Sequence, residues 1–121
     1  MRNYFFVKVN KMNNEIKFII SELEVIYGFY QDNFSLKRIK SYILSMPEGA
    51  KIVKVEAGNV PMYDHNVTLP IAKFNDETDS IGLLQVTHTM INNRGVDVIA
   101  NDANRVTQLV NRLIDLIAPT K

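Results

Sequence analysis

From Asn101 to Ile117 the apolar residues recur at helical spacing, and Val106, Leu109, Val110, Leu113, Ile114 and Ile117 fall on one continuous stripe. Upstream, Ile81 to Met90 alternates apolar with polar side chains, and Asn92-Asn93-Arg94-Gly95 reads as a tight turn. Val96-Asp97-Val98-Ile99-Ala100 then reads as a second strand. Strand, turn, strand and amphipathic helix in succession fix the class as mixed α and β. The helical stripe needs a sheet to cover. Burying its six side chains at roughly 1.5–3 kcal/mol each exceeds the net stability of a small domain before entropy is subtracted.

The rest of the chain divides less cleanly. Residues 4–11 alternate loosely, with Phe5, Val7 and Val9 opposite Tyr4, Phe6 and Lys8, and Asn13-Asn14 suits a turn. Two readings fit residues 16–30. Ile16, Ile19, Ile20, Leu23, Ile26, Tyr27 and Tyr30 have helical spacing, whereas Ile16, Phe18, Ile20 followed by Leu23, Val25, Tyr27 fits a bulged strand. The β-branched and aromatic content favours the strand, as a hairpin with residues 4–11.

Ser35 is placed to cap a helix running to Met46, with Leu36, Ile39, Ile43 and Met46 on one face and Pro47 and Gly49 ending it. A short strand follows at 51–57, then a turn at Gly58-Asn59. Pro61 makes residues 60–66 a poor central strand, and Pro70 makes 67–74 an edge strand. Residues 75–80 form an acidic polar loop. The expected architecture is therefore α+β, a mainly antiparallel sheet of five or six strands with two helices packed on one face. No repeat, linker or low-complexity tract divides the chain, so residues 1–121 are read as a single domain.

Eight of the eleven aromatic residues lie within the first 34 positions, which is more than one buried face accommodates. The surplus should cover another helix of the chain or another subunit.

Three constellations are candidates for chemistry. In the first, Asn101, Asn104 and Arg105 at an expected helix start, with Arg112 further along, form an anion site for a phosphate compound. Unpaired N–H groups and a guanidinium replace the anion's hydration there. Capping by Asn101 or Asp102 is the structural alternative, Asp102 repels an anion, and no glycine lets a phosphate come close. In the second, Lys37, Arg38 and Lys40 beside Phe34 and Tyr42 combine charge with stacking faces, as single-stranded nucleic acid requires. A solvated helix face is the plainer account. In the third, His65 or His88 serves as a general base, with Asp64 orienting the ring. Histidine spacing suits no metal site, and His88, in register with Leu84, Val86 and Met90, is expected to face the core. No nucleophile elbow or phosphate-binding glycine loop is present.

A net charge of +1 provides no strong long-range pull toward nucleic acid or anionic membrane, although local patches remain open to either. The chain has no cysteine, which removes thiol nucleophiles, thiolate metal sites and disulfides together. Neither a secretory signal nor an apolar run of membrane-spanning length is read, so a cytoplasmic protein is expected and the Asn66-Val67-Thr68 acceptor motif is idle. Heavy use of asparagine, lysine and isoleucine suits an AT-rich genome, such as that of a low-GC bacterium or its phages and plasmids.

The leading functional expectation is a binding protein without catalytic activity or cofactor. It acts as a homo-oligomer and holds either a phosphate-containing small molecule or a protein partner. The alternatives are a nucleic-acid-binding accessory protein using Lys37, Arg38, Lys40, Arg105 and Arg112, or a small histidine-dependent enzyme.

Overall fold

The structure, a computed structural model, describes residues 2–45, 52–74 and 80–117. Among these residues the elements are α1 (Arg2–Phe29), α2 (Asn33–Lys40) with a π-helical turn at Ser41–Ser45, and β1 (Ile52–Met62). They continue with β2 (His65–Phe74), β3 (Ser80–Gly82), α3 (His88–Arg94) and α4 (Val96–Ile117). The fold is α+β, with four helices and one antiparallel three-stranded sheet in the order β1-β2-β3. The expected sheet of five or six strands with two helices on one face is therefore corrected. Segments 4–11, 16–30 and 96–100, each read as a strand, are helical, save Tyr30 in the turn that follows α1.

Packing decides the helical state of 16–30. Ile19, Leu23, Ile26, Tyr27 and Tyr30 are buried together, and they follow one another at the three- and four-residue steps of a helix. That common burial outweighs the strand preference of the individual residues. A Schellman-type closure ends α1. The Asp32 N–H donates to the Tyr27 carbonyl at 3.1 Å and the Gln31 N–H to the Gly28 carbonyl at 3.2 Å, with Gln31 at φ +52°. Because the left-handed residue is glutamine rather than glycine, the stop is hard to see in sequence.

The helix start expected at Ser35 lies three residues earlier. Asp32 is the N-cap of α2, and its Oδ1 accepts the Ser35 N–H at 3.0 Å. The expected end at Met46, Pro47 and Gly49 lies outside the described residues, as does most of the 75–80 loop.

Gly58 and Asn59 do not turn the chain but pair with Leu69 and Thr68 inside the β1–β2 ladder. The turn is at Tyr63-Asp64, both with positive φ (51° and 67°), a two-residue loop of the primed kind that suits strand twist. Segment 67–74 is the middle strand, not an edge. Pro70 is tolerated there because its N and C=O face the β3 side, where the regular ladder has just ended; the Pro70 carbonyl accepts the Leu83 N–H at 2.8 Å. After three residues β3 gives way to an irregular run in which Leu83, Leu84 and Val86 enter the core.

Asn92 to Arg94 closes α3, and Gly95, at φ +87°, breaks it from α4 with its N–H on the Ile91 carbonyl at 2.9 Å. Residues 96–100 then form the first turns of α4, where Ile99, buried with Ala103 and Val106, extends the stripe toward the N-terminus. α4 lies against β2 and β1, and α1 lies on α4 as a further layer. The Asn111 side chain joins α4 to the edge strand: its Oδ1 accepts the Val55 N–H and its Nδ2 donates to the Val55 carbonyl, both at 2.8 Å. Among the described residues no helix is long and apolar enough to cross a membrane.

Candidate functional site

Asn101, Asn104, Arg105 and Arg112 do share the exposed face of α4, but Asn101 to Arg105 lies well inside the helix rather than at its start. Backbone N–H groups at these positions are spent on the helix ladder, so the feature that recommended an anion site is displaced to Val96–Val98, since the Ile99 N–H already donates to the Gly95 carbonyl at 3.1 Å. Both arginines are engaged by α1. Arg105 Nη2 meets Glu22 Oε1 at 3.3 Å, and Arg112 clasps Glu15 with Nε at 2.6 Å and Nη2 at 3.0 Å. This fork holds the Glu15 carboxyl below its ordinary range, chiefly through the hydrogen bonds from Arg112.

Lys37, Arg38 and Lys40 sit in the last turn of α2 rather than its first, so they do not oppose a helix N-terminus. The Arg38 guanidinium lies 5.3 Å from the Phe34 ring centroid, and Lys40 Nζ reaches Glu24 Oε2 at 3.4 Å. Lys37 is exposed. The histidines stand apart from the core: His65 is exposed as expected, whereas His88, expected inside, is exposed at the start of α3 and stacks on Tyr63 at 5.2 Å. Among the described residues no three His, Cys, Asp or Glu side chains come together as a metal site.

Two polar clusters that sequence reasoning did not find lock the end of α1. Asp32, buried, accepts the Gln85 N–H with Oδ2 at 2.8 Å while Oδ1 caps α2, so one carboxylate ties the α1–α2 turn to the run after β3. Beside it the buried Tyr27 hydroxyl donates to the Leu83 carbonyl. Burial first, and then the charge of Asp32, pushes that phenol above its ordinary range. In the second cluster Arg94 Nη2 meets Asp102 Oδ2 at 2.7 Å and the same oxygen accepts the Tyr30 hydroxyl. The Arg94 guanidinium also lies 4.8 Å and 5.1 Å from the Phe29 and Tyr30 ring centroids. Burial, followed by the bond to Asp102, raises the Tyr30 phenol as well. Apart from the buried Ser35 Oγ, which has no hydrogen-bond partner among the described residues, the polar side chains here are committed to one another or to the backbone, which describes a joint between α1, α3 and α4 rather than a reacting centre.

What remains is the outward face of α1. Phe18, Val25 and Phe29 are 57%, 57% and 55% exposed and lie within about 40° of one another around the helix. They lie about 110° round the helix from the buried line of Ile19, Leu23, Ile26 and Tyr30, beyond Glu15 and Glu22, so α1 carries two apolar faces. Two ion pairs edge the outer one toward α4, Glu15–Arg112 and Glu22–Arg105, and a third, Glu24–Lys40, stands further round the helix toward α2, beyond Ser21 and Gly28. The two pairs with α4 advance by seven residues on α1 as they recede by seven on α4, so the helices run antiparallel. The same step sets Phe29 level with Val98, itself an exposed apolar residue of α4. A seven-residue interval between Phe18 and Val25, off the line of the other apolar residues, was the sequence signal for this face. Reading the segment as a strand hid it.

The fold and this surface define a small α+β domain whose longest helix has an uncovered apolar side. Comparisons with protein-family models, with curated proteins and with solved structures find no match to the chain.

Proposed function

We propose that the protein is a non-catalytic binding protein that works as a homo-oligomer, with the outward face of α1 as its self-association surface. One observation carries this reading: an exposed apolar stripe of Phe18, Val25 and Phe29, edged by two ion pairs toward α4 and with a third, Glu24–Lys40, further round the helix toward α2. An apolar centre inside a charged border is the usual anatomy of a protein interface. Three of the cations considered as ligand or nucleic-acid contacts, Lys40, Arg105 and Arg112, belong to these ion pairs with glutamates of α1. The surplus of aromatic residues near the start of the chain finds its use here, since two of them, Phe18 and Phe29, are not needed by the monomer's core. The cysteine-free sequence suits a reducing, cytoplasmic setting, which belongs to the same proposal.

Size-exclusion chromatography with light scattering at micromolar concentration tests the reading. A dimer or larger species is expected, and a monomer throughout the accessible concentration range would refute it.

A further inference from the structure

We infer that two copies of α1 pack antiparallel about a two-fold axis between Ser21 and Glu22, with Phe18 of each copy against Val25 of the other. The inference rests on the self-association reading above and supplies its geometry. A two-fold interface brings one surface against itself, so its residues must complement their own arrangement.

On α1 this condition is met around one point. Phe18 and Val25 lie symmetrically about Ser21 and Glu22, so an antiparallel pairing sets a large side chain against a smaller one, with the short Ser21 beside the axis.

A parallel pairing is opposed by Lys11. It is exposed on the line of Phe18 and Phe29 and would stand directly against Lys11 of its copy. In the antiparallel pairing Lys11 instead approaches the C-terminal end of the partner's α1, where a cation is favoured by the helix dipole. The two long dipoles also oppose one another.

A chain without cysteine makes the arrangement directly readable by single-cysteine cross-linking. Ser21 and Asn14 are both exposed on α1, so replacement leaves the monomer's core intact. In the antiparallel pair the two copies of position 21 lie across the axis from each other. The copies of position 14 are separated by about 20 Å along the helices, at 1.5 Å per residue. With a short bis-maleimide, Ser21→Cys should give covalent dimer as the main product on a denaturing gel, and Asn14→Cys should remain monomeric. In a parallel pair each position faces itself, and both variants cross-link.

Cross-linking at Asn14→Cys equal to that at Ser21→Cys overturns the antiparallel geometry. So does the absence of cross-linking at Ser21→Cys in a protein that sediments as a dimer. In either case the self-association reading stands. A variant and parent that both sediment as monomers overturn the geometry and the reading together.

Discussion

The two long helices solve the same problem differently. α4 has a single apolar face, and Ile99, Ala103, Val106, Leu109, Val110 and Leu113 along it are buried against the sheet and α1. Its opposite side is polar. α1 has one apolar line turned toward α4 and a second, Phe18, Val25 and Phe29, turned outward. Packing within one chain accounts for the apolar residues of α4 with the exception of the exposed Val98, and for those of α1 only in part. A residue's burial can thus be inferred from helical periodicity where there is one stripe. Where there are two, only the assembly decides what the second is for.

If that contrast holds, substitutions on the inner and outer lines have opposite consequences. The largest effect is expected at Leu113, which has no exposed surface. Leu113→Asp places an unpaired charge in the core and removes a large side chain, each worth several kcal/mol against a total stability of about 5–15 kcal/mol. The variant should lack a cooperative melt by circular dichroism, and a melting curve like the parent's would take α4 out of the core.

Next comes the device that ends α1. Asp32→Ala removes an N-cap, at about 1 kcal/mol, and leaves the Gln85 N–H without its acceptor, at about 1–3 kcal/mol more. Urea titration should show a lower midpoint at unchanged slope; no shift would mean that the carboxylate is dispensable to the joint. A smaller loss, about 1–3 kcal/mol, is expected for Asn111→Ala, which frees both backbone groups of the buried Val55. Hydrogen exchange at the Val55 amide should accelerate in that variant while the β2–β3 amides keep their protection.

The smallest effect concerns the seam between the helices. Glu15 is held below its ordinary range by Arg112, so this contact stabilises the folded chain above the unfolded glutamate pKa. Its contribution is lost as pH falls through the depressed folded value. Melting temperatures of the parent and of Glu15→Gln should therefore differ slightly at neutral pH and converge in acid. An equal gap at all pH values would remove Glu15 from the seam.

The same contrast explains what the sequence disclosed. α4 was legible from Val106 to Ile117 because apolar and polar residues segregate cleanly around it. Its first turn was not, because Val96, Val98 and Ile99 are β-branched and follow a glycine that reads as a hairpin turn; burial of Ile99 beside Ala103 settles the matter in favour of helix. α1 was misread because its second apolar line fills the gaps left by the first and so mimics the mixed pattern of a bulged strand. The middle-strand position of β2 was obscured by Pro70, whose missing donor is harmless only because β3 ends beside it. Of the candidate site, the individual cations and the excess of aromatics were visible. Their relation, an apolar stripe edged by ion pairs, depends on α1 lying between α2 and α4 and so required the tertiary fold.

Sedimentation velocity on the parent and on Phe18→Lys/Val25→Lys, each over a range of micromolar concentrations, tests the claim about α1 most directly. Both substituted residues are more than half exposed, so the variant should keep the parent's far-ultraviolet spectrum. The account predicts a parent that sediments at twice the chain mass or more and a folded variant that sediments as a monomer. A parent that is monomeric at every concentration, or a variant that associates as the parent does, would contradict it.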